Sequence, residues 1–293
     1  MFIVVESGST KADWMVIDGT REVAYNTMGF NPYFHTKEDI LVELNDHLEL
    51  DLVKSRVKEI FFYGAGCSSP SMNKVIESAL SAFFKNAEVH VDHDLMACAV
   101  SCYEDRPVIS CIIGTGSNSA YFDGEKIREE VPALSYILGD EGSGCYFGKR
   151  LLADFLYNRV PDQISRDLSQ MGLTKDVIVD NVYMKPNPNV YIASFMPILI
   201  RHKSLSYSQE IIKEGFRKFI EAHVLCFEEA KSSQVSFVGS IASLLEQELG
   251  EVCEEYNLKL GVVIRRPLDR LVSYHKDRLE QSNEFIRLRS SAS

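Results

Sequence analysis

Two short turns in the chain have the residue types of loops that hold phosphate groups. The first turn contains Gly8, Ser9 and Thr10, and the second runs from Gly114 to Asn118. Glycine lets the backbone approach an anion closely, and successive backbone N–H groups can form an anion-binding nest. A single turn of this kind is usually an ordinary hairpin turn. We predict that the pair binds a triphosphate, and two hairpins without a ligand are the alternative.

The two turns lie in segments that repeat. In each segment one strand-like run precedes the turn and another follows it, from Phe2 to Ile17 and from Val108 to Phe122. Three residue pairs share one offset along the chain: Gly8 with Gly116, Ser9 with Ser117, and Ala12 with Ala120. A hairpin that recurs after most of a domain indicates two related lobes.

Two acidic residues, Asp92 and Asp94, follow the predicted strand Glu88–Val91 and precede a helical pattern. In phosphoryl transfer a carboxylate orients and deprotonates the acceptor hydroxyl. We predict Asp94 as this general base, with Asp92 as the second candidate. Because Asp94 opens a helix, a helix N-cap is the alternative role, and one residue can fill both. His93 and Cys98 flank Asp94 and are expected to be packing residues.

Strands that alternate with helices must position these residues. In the first half, predicted strands alternate with helical patterns, which indicates an α/β lobe with a partly parallel sheet. The second half has longer helical patterns: Ser143–Tyr157, Ile192–His202, Tyr207–Ala230 and Ile241–Gly250. We place the lobes at 1–106 and 107–293, and a C-terminal helix after about residue 268 can join the first lobe.

Composition narrows the function classes. The chain has 293 residues, of which 45% are hydrophobic and 25% charged, as in soluble globular proteins of about two domains. Its formal net charge of -11 argues against a nucleic-acid-binding protein, which needs a basic face. The charge does not exclude ATP, because backbone amides and Mg²⁺ can hold its phosphates.

The cysteine pattern favours a cytoplasmic protein. Seven cysteines are scattered, with no CxxC pair and no zinc-like spacing, which predicts reduced thiols. We expect no signal peptide, because Met1 leads directly into a short apolar run that ends at Glu6. The apolar stretch Val190–Ile200 is too short to span a bilayer and contains Pro197, so we expect no membrane partner.

Four segments resemble the nucleotide-binding motifs of the actin and sugar-kinase ATPase superfamily. They are Val4–Trp14 and Ile112–Asn118 for phosphate, Val91–Ala99 for the catalytic aspartate, and Val238–Ala242 for adenosine. Their order and spacing match the subfamily that joins N-acetylglucosamine kinases to the ATPase subunits of benzoyl-CoA reductase. The resemblance covers Phe2 to about His275 and implies an α/β protein with two ribonuclease-H-like lobes and a nucleotide cleft between them.

The resemblance also implies which residues bind Mg-ATP. The implied phosphate-binding residues are Gly8, Ser9, Thr10, Lys11, Gly114, Thr115, Gly116 and Ser117. Gly239 and Ser240 align with the adenosine motif, and Asp94 aligns with the catalytic aspartate. Glu6 stands where the superfamily usually has an Asp that holds Mg²⁺ through water. Because Mg²⁺ tolerates little distortion of its octahedron, the longer Glu6 side chain puts the metal geometry in question, and a plain strand-end carboxylate is the alternative.

Two loops resemble the sugar-binding segments of amino-sugar kinases. Gly29–Pro32 resembles a loop whose Asn contacts the sugar, and Gly139–Gly144 resembles a segment whose Asp is a sugar ligand. The implied substrate-binding residues are Asn31, Gly64, Thr115 and Asp140. Amide and carboxylate groups pair well with vicinal hydroxyls. An ordinary Asn-Pro turn and a capped loop are the alternatives.

The resemblance implies an ATP-dependent amino-sugar kinase, with N-acetylglucosamine as acceptor and its 6-hydroxyl as the target. Glucosamine and N-acetylmuramic acid stay open as substrates. An ATPase that drives electron transfer, as in activators of benzoyl-CoA reductase or 2-hydroxyacyl-CoA dehydratase, is disfavoured because the cysteines show no cluster pattern. A non-catalytic nucleotide or sugar sensor is supported by Glu6 alone. The sequence leaves the oligomeric state open, a homodimer included.

Overall fold

The computed structural model describes residues 1–8 and 11–290, with side chains described up to residue 281. The strands are β1 (Phe2–Ser7), β2 (Lys11–Asp18), β3 (Arg21–Met28), β4 (Glu59–Gly64), β5 (Glu88–His93), β6 (Val108–Ile113), β7 (Ser117–Phe122), β8 (Ile127–Arg128), β9 (Gln234–Val238) and β10 (Lys259–Ile264).

The helices are α1 (Lys37–Asp46), α2 (Leu48–Val53), α3 (Pro70–Phe83), α4 (Asp94–Cys102), α5 (Ser135–Leu138), α6 (Gly144–Leu156), α7 (Asp162–Gln170), α8 (Lys175–Val179), α9 (Pro188–Ala193), α10 (Met196–Arg201), α11 (Ser206–His223), α12 (Ser240–Leu244), α13 (Glu246–Glu255) and α14 (Leu268–Ser290). A π-helical turn covers Asp180–Met184, and a 3-10 turn covers Glu228–Lys231. None of the described helices is long and apolar enough to cross a membrane.

The chain forms two compact units. The first contains Met1–Ser101 and the segment from Pro267 onward, so that α14 groups with the N-terminal strands. The second contains Cys102–Arg266. The division falls a few residues before the lobe boundary that the repeat suggested.

Both units are built on a five-stranded mixed sheet with the same topology. In the first unit the order is β3-β2-β1-β4-β5, where β1, β2 and β3 are antiparallel and β4 and β5 run parallel to β1. In the second unit the order β8-β7-β6-β9-β10 repeats this pattern strand for strand. The predicted pair of ribonuclease-H-like lobes is thus confirmed, and the repeat extends from the hairpins to whole sheets.

Each sheet is covered by helices that bury aromatic and aliphatic side chains. Trp14 on β2 is fully buried, donates a hydrogen bond from Nε1 to Thr27 Oγ1 (2.9 Å), and contacts Phe30 edge-on. In the second unit the amphipathic helix α11 buries Phe216 and Phe219 in a cluster with the central strands β6 and β9. In each unit these strands form a buried sheet, and their ends carry the predicted site residues.

Several predicted helix bounds were wrong for physical reasons. The helical pattern Ile192–His202 is two short helices, α9 and α10, because Pro197 lacks an N–H and occupies the first turn of the second one. The pattern Tyr207–Ala230 ends as a helix at His223 and continues through a turn into the 3-10 segment. The pattern Ile241–Gly250 is likewise divided between α12 and α13.

Helix α14 is attached to the first sheet through a buried histidine. The His275 ring stacks on Phe61 at 3.6 Å between centroids, and its Nε2 lies 2.9 Å from Tyr63 Oη. Burial, together with the charges of the nearby Arg278 and His90, lowers the pKa of His275 to about 3. The ring is therefore neutral in the folded protein at physiological pH.

This histidine predicts an acid-dependent loss of stability. Because the pKa of His275 is depressed on folding, its stabilising effect is complete above the unfolded pKa of about 6.5 and falls as pH drops toward 3. The slope from this group is at most about 1.4 kcal/mol per pH unit. We expect His275→Phe to reduce the pH dependence of the free energy of unfolding, measured by urea titration at pH 7, 6 and 5. Equal slopes in the two proteins would contradict the prediction, whatever the absolute loss of stability.

Candidate functional site

In the first unit, the carboxyl ends of three parallel strands bring acidic residues to one edge of the sheet. Glu6 on β1 lies opposite Tyr63 on β4, and Tyr63 lies opposite Asp92 on β5. Gly64 ends β4, and Asp94 begins α4 directly after β5. In open α/β sheets ligands bind outside the carboxyl ends of the strands. The register thus collects the predicted metal ligand, substrate glycine and general base at this edge.

The first phosphate turn joins β1 to β2. Gly8 N donates to Lys11 O (2.9 Å), which closes the turn, while the predicted ligands Ser9 and Thr10 lie outside the described residues. Lys11 is half exposed, and its Nζ lies 2.6 Å from Asp13 Oδ1. The ammonium group therefore has an acidic partner on its own strand, and a contact from Lys11 to phosphate stays a prediction.

The loop that carries Asn31 is anchored beside this turn. Ser7 is buried, and its Oγ accepts a hydrogen bond from Phe30 N (2.8 Å). The Asn31 side chain is also buried, and its Oδ1 accepts from Tyr33 N (3.0 Å). Gly66 has φ +85, and a Cβ there would lie 2.5 Å from Asn31 Oδ1. The Asn31 loop is therefore in direct contact with the loop that follows the predicted substrate residue Gly64.

The structure assigns the helix cap at Asp94 to another residue. His93 Nδ1 accepts a hydrogen bond from Met96 N (3.2 Å), so His93 caps α4, although the sequence indicated a packing role for it. Asp94 is the first helical residue, and its side chain is exposed. Burial, together with the charges of Asp94 and Asp92, raises the pKa of the nearby Cys67 thiol to about 12. The two carboxylates thus lie close to the Gly64–Cys67 loop.

In the second unit, the phosphate turn is held against the start of α6. Gly114 N donates to Gly116 O (2.9 Å), which closes the turn. Gly144 N and Cys145 N donate to Gly114 O and Thr115 O, at 2.8 and 3.0 Å. The first N–H groups of α6, which lack partners within the helix, are thus satisfied by the carbonyl groups of the turn. These two hydrogen bonds hold the turn against the start of α6.

Asp140 lies directly on this turn. Its side chain is buried, and its Oδ1 accepts a hydrogen bond from Ser117 N (3.1 Å). A Cβ on Gly116 would lie 2.9 Å from the same oxygen. Burial raises the pKa of Asp140, and the Ser117 N–H bond and the charge of Lys149 oppose this shift. The predicted sugar ligand and the predicted phosphate turn are therefore in contact.

The adenosine motif lies at the start of the same turn. Gly239 follows β9 with φ +133, and a Cβ there would lie 2.2 Å from Ile113 O and 3.3 Å from Gly114 N. Gly239 N donates to Ile264 O (2.8 Å), and Ser240, which is exposed, begins α12. Only glycine allows so close an approach between two backbone segments. The predicted nucleotide-binding residues of this unit thus share one edge of the second sheet.

Sequence reasoning missed two residues that hold this edge together. Glu141 Oε2 lies 3.3 Å from Nε2 of His223, a buried residue at the end of α11. The residues are far apart in sequence, and each has only an unremarkable local setting, a loop acid and a helix-end histidine. The buried Ser7 was also missed, since its hydroxyl reads as part of the turn.

Comparisons with known proteins place the chain in a family. No protein-family model and no curated protein sequence matches it significantly. The crystal structure of a candidate N-acetylglucosamine kinase from Porphyromonas gingivalis is 31% identical, with a TM-score of 0.89 over 94% of this chain and 99% of that one.

More distant structures share the fold. A candidate N-acetylglucosamine kinase from Chromobacterium violaceum is 14% identical, with a TM-score of 0.68 over 94% of this chain and 99% of that one. A ROK-family glucokinase from Streptomyces griseus, solved with glucose and AMPPNP, is 12% identical, with a TM-score of 0.51 over 90% of this chain and 93% of that one. With the first relative matched over nearly its whole length, the chain belongs to the N-acetylglucosamine kinase family of the actin and sugar-kinase ATPase superfamily.

Proposed function

We propose that this protein transfers the γ-phosphoryl group of Mg-ATP to an amino sugar, with N-acetylglucosamine as the acceptor and its 6-hydroxyl as the target. One contact carries this proposal. Asp140, the expected sugar ligand, accepts a hydrogen bond from Ser117 N within the expected phosphate turn, at 3.1 Å. Phosphoryl transfer depends chiefly on holding the acceptor in line with the donor phosphate, so adjacent sites for the two substrates are what the reaction requires.

The donor site uses backbone groups more than charged side chains. In the second turn Thr115 and Gly116 offer N–H groups to the phosphates, because Gly114 N and Ser117 N already donate to Gly116 O and Asp140 Oδ1. The first turn offers N–H groups in the same way, and Gly239 and Ser240 contact the adenosine. This choice of groups fits a chain with a net charge of -11. Lys11 adds a positive charge near the first turn.

A single carboxylate at the edge of the first sheet, that of Glu6, is the proposed contact to a magnesium ion. Glu6 is half-buried at the end of β1, in register with the strands that lead to Asp92 and Asp94. Carboxylate oxygens are the ligands that Mg²⁺ prefers, and the ion usually keeps several waters and needs only one or two protein ligands. Glu6 would hold the ion through water. When bound, Mg²⁺ neutralises the charge on the phosphates.

The acceptor site combines an amide, a carboxylate and a general base. Asn31, Gly64, Thr115 and Asp140 are the proposed sugar-binding residues. Asp94 accepts the proton of the attacking hydroxyl and orients it toward the γ-phosphate.

A reducing compartment is consistent with the state of the cysteines. All seven cysteines are free thiols, and only Cys226 is more than slightly accessible. Disulfides are rare in the cytosol. We propose the cytoplasm as the place of action, where ATP and free amino sugars are both present.

The proposal predicts ADP release that depends on an amino sugar. We expect the wild-type protein with Mg-ATP to release ADP with N-acetylglucosamine, and more slowly or not at all with glucosamine or N-acetylmuramic acid. A coupled ADP assay over this panel, with calorimetric titration of each sugar and of ADP, decides the matter. A protein that binds ADP but no hexosamine would instead be an ATPase of the electron-transfer type.

Replacing Glu6 tests the metal site. We expect Glu6→Asp to keep or raise the rate, since Asp is the usual residue at this position of the family. Glu6→Ala should raise the Mg²⁺ concentration needed for half-maximal rate, because a carboxylate ligand is lost. Asp18→Ala removes a charge from the far end of β2 and serves as the control. Equal Mg²⁺ dependence in all four proteins would make Glu6 a bystander.

Replacing Gly116 tests the contact with Asp140. An alanine Cβ 2.9 Å from Asp140 Oδ1 must displace the carboxylate, which weakens its bond to Ser117 N. We expect Gly116→Ala to raise the KM for the sugar about tenfold or more, the cost of one disturbed hydrogen bond. Gly250→Ala is the matched control, because its Cβ would meet only Leu260 at an ordinary 3.5 Å. An unchanged KM in Gly116→Ala would show that the turn does not set the position of Asp140.

A further inference from the structure

His223 and Glu141 form a partly buried pair next to the expected sugar ligand. His223 is the last residue of α11 and is 5% exposed, and its ring stacks on Phe219 at 5.1 Å with 19° between the planes. Its Nε2 lies 3.3 Å from Glu141 Oε2. Its Nδ1 is buried and makes no hydrogen bond within the described part of the chain. Within the described residues, the polar contact of the His223 side chain is therefore with Glu141.

Two serines on β7 complete a closed network of hydrogen bonds. Ser117 Oγ donates to Glu141 O at 2.8 Å, and Ser119 Oγ donates to His223 O at 2.6 Å. Because these serines are two residues apart on one strand, their side chains lie on the same face of the sheet. This network runs from β7 to the Gly139–Gly144 loop, across to α11, and back to β7.

One face of α11 is shaped to receive the loop. Gly215, Phe219 and His223 follow one another at intervals of four residues, so they lie along one face of the helix. Gly142 has φ +68, and a Cβ there would lie 3.1 Å from Phe219 Cβ and 3.2 Å from Gly215 O. The loop thus lies directly on this face, and the Glu141–His223 contact is at its end.

The backbone of Asp140 needs such support. Asp140 adopts the left-handed conformation, with φ 60, which is unfavourable for residues other than glycine. Backbone strain of this kind persists where surrounding contacts hold the residue in place. The hydrogen bond from Ser117 N holds the Asp140 side chain. The hydrogen-bond network holds the neighbouring residue, Glu141, through its carbonyl group.

We infer that Glu141 and His223 are a positioning pair, which keeps Asp140 in its left-handed conformation against the Gly114–Ser117 turn. The inference rests on the proposed function, because it explains how the acceptor ligand stays at a fixed distance from the donor phosphates. Neither residue is required to touch a substrate. A partly buried polar pair of this kind is a weak source of stability and is better explained by the geometry it specifies.

Three substitutions of His223 distinguish the hydrogen bond made by Nε2 from the stacking of the imidazole ring on Phe219. His223→Gln places an amide N–H near the position of Nε2 and keeps the bond to Glu141, so its sugar KM should stay within about threefold of the wild type. His223→Phe keeps the stacking on Phe219 but has no donor, and His223→Asn is too short to reach Glu141. We expect both to raise the sugar KM about tenfold or more, with a smaller change in kcat.

A double variant tests whether the two side chains act together. If the pair is one unit, His223→Phe combined with Glu141→Ala should raise the sugar KM no further than the worse single variant. His90→Phe, the same change at an exposed histidine of the first unit, is the control for the substitution itself and should match the wild type. Fully additive effects of His223→Phe and Glu141→Ala would contradict coupling.

Hydrogen–deuterium exchange of the unliganded protein gives a readout that needs no activity. The Ser117 N–H should exchange faster in His223→Phe than in the wild type or His223→Gln, because the loop that carries its acceptor is loosened. If the wild type phosphorylates no sugar, the proposed function fails, and exchange still decides the role of the pair. Equal exchange and equal KM in all variants would overturn the inference. So would a His223→Gln protein as impaired as His223→Phe, with ADP and sugar affinity reduced equally.

Discussion

The contact between Asp140 and the second phosphate turn depends on Gly116, which has no side chain. Gly116 leaves room for the carboxylate, which then accepts the N–H of Ser117. The same turn gives its carbonyl groups to the start of α6, so its geometry is fixed from two sides. Gly239 adds a third close approach, to Ile113 O. The site of this unit is thus assembled by backbone packing, and few side chains besides Asp140 take part in it.

The two units use one topology for different chemistry. Both sheets end their central parallel strands beside a glycine turn, but the neighbouring loops differ. In the first unit the loop next to the turn presents Asn31 against Gly66, and α4 begins with Asp94. In the second unit the loop presents Asp140, and the helix beside the turn, α6, begins with Gly144. The two copies of the fold thus share the glycine turn and differ in the polar side chains beside it.

The sequence allowed much of this edge to be predicted, because turn residues and apolar strands are local signals. Strand β3 was missed because the alternation of Val23, Tyr25 and Thr27 is weak, with Thr27 as the one buried residue of the strand. The end of α11 was missed because Val224, Phe227 and Ala230 are buried through turns and continue the apolar pattern. The Glu141–His223 pair could not be predicted, because it joins residues that only the packing of α11 brings together. His93 was misassigned since a histidine cap has no sequence signature.

The grouping of α14 with the first unit affects how the chain can be made. Tyr63 and His275 are separated by 212 positions, yet they form a hydrogen bond beneath the edge that carries Glu6 and Asp92. During synthesis the ribosome releases the N-terminal strands first, and the whole second unit follows before α14 appears. The first unit therefore waits, with part of its core exposed, for its final segment. A chain that stops before α14 would lack this closure, so the edge of the first sheet is completed only after α14 has been synthesised.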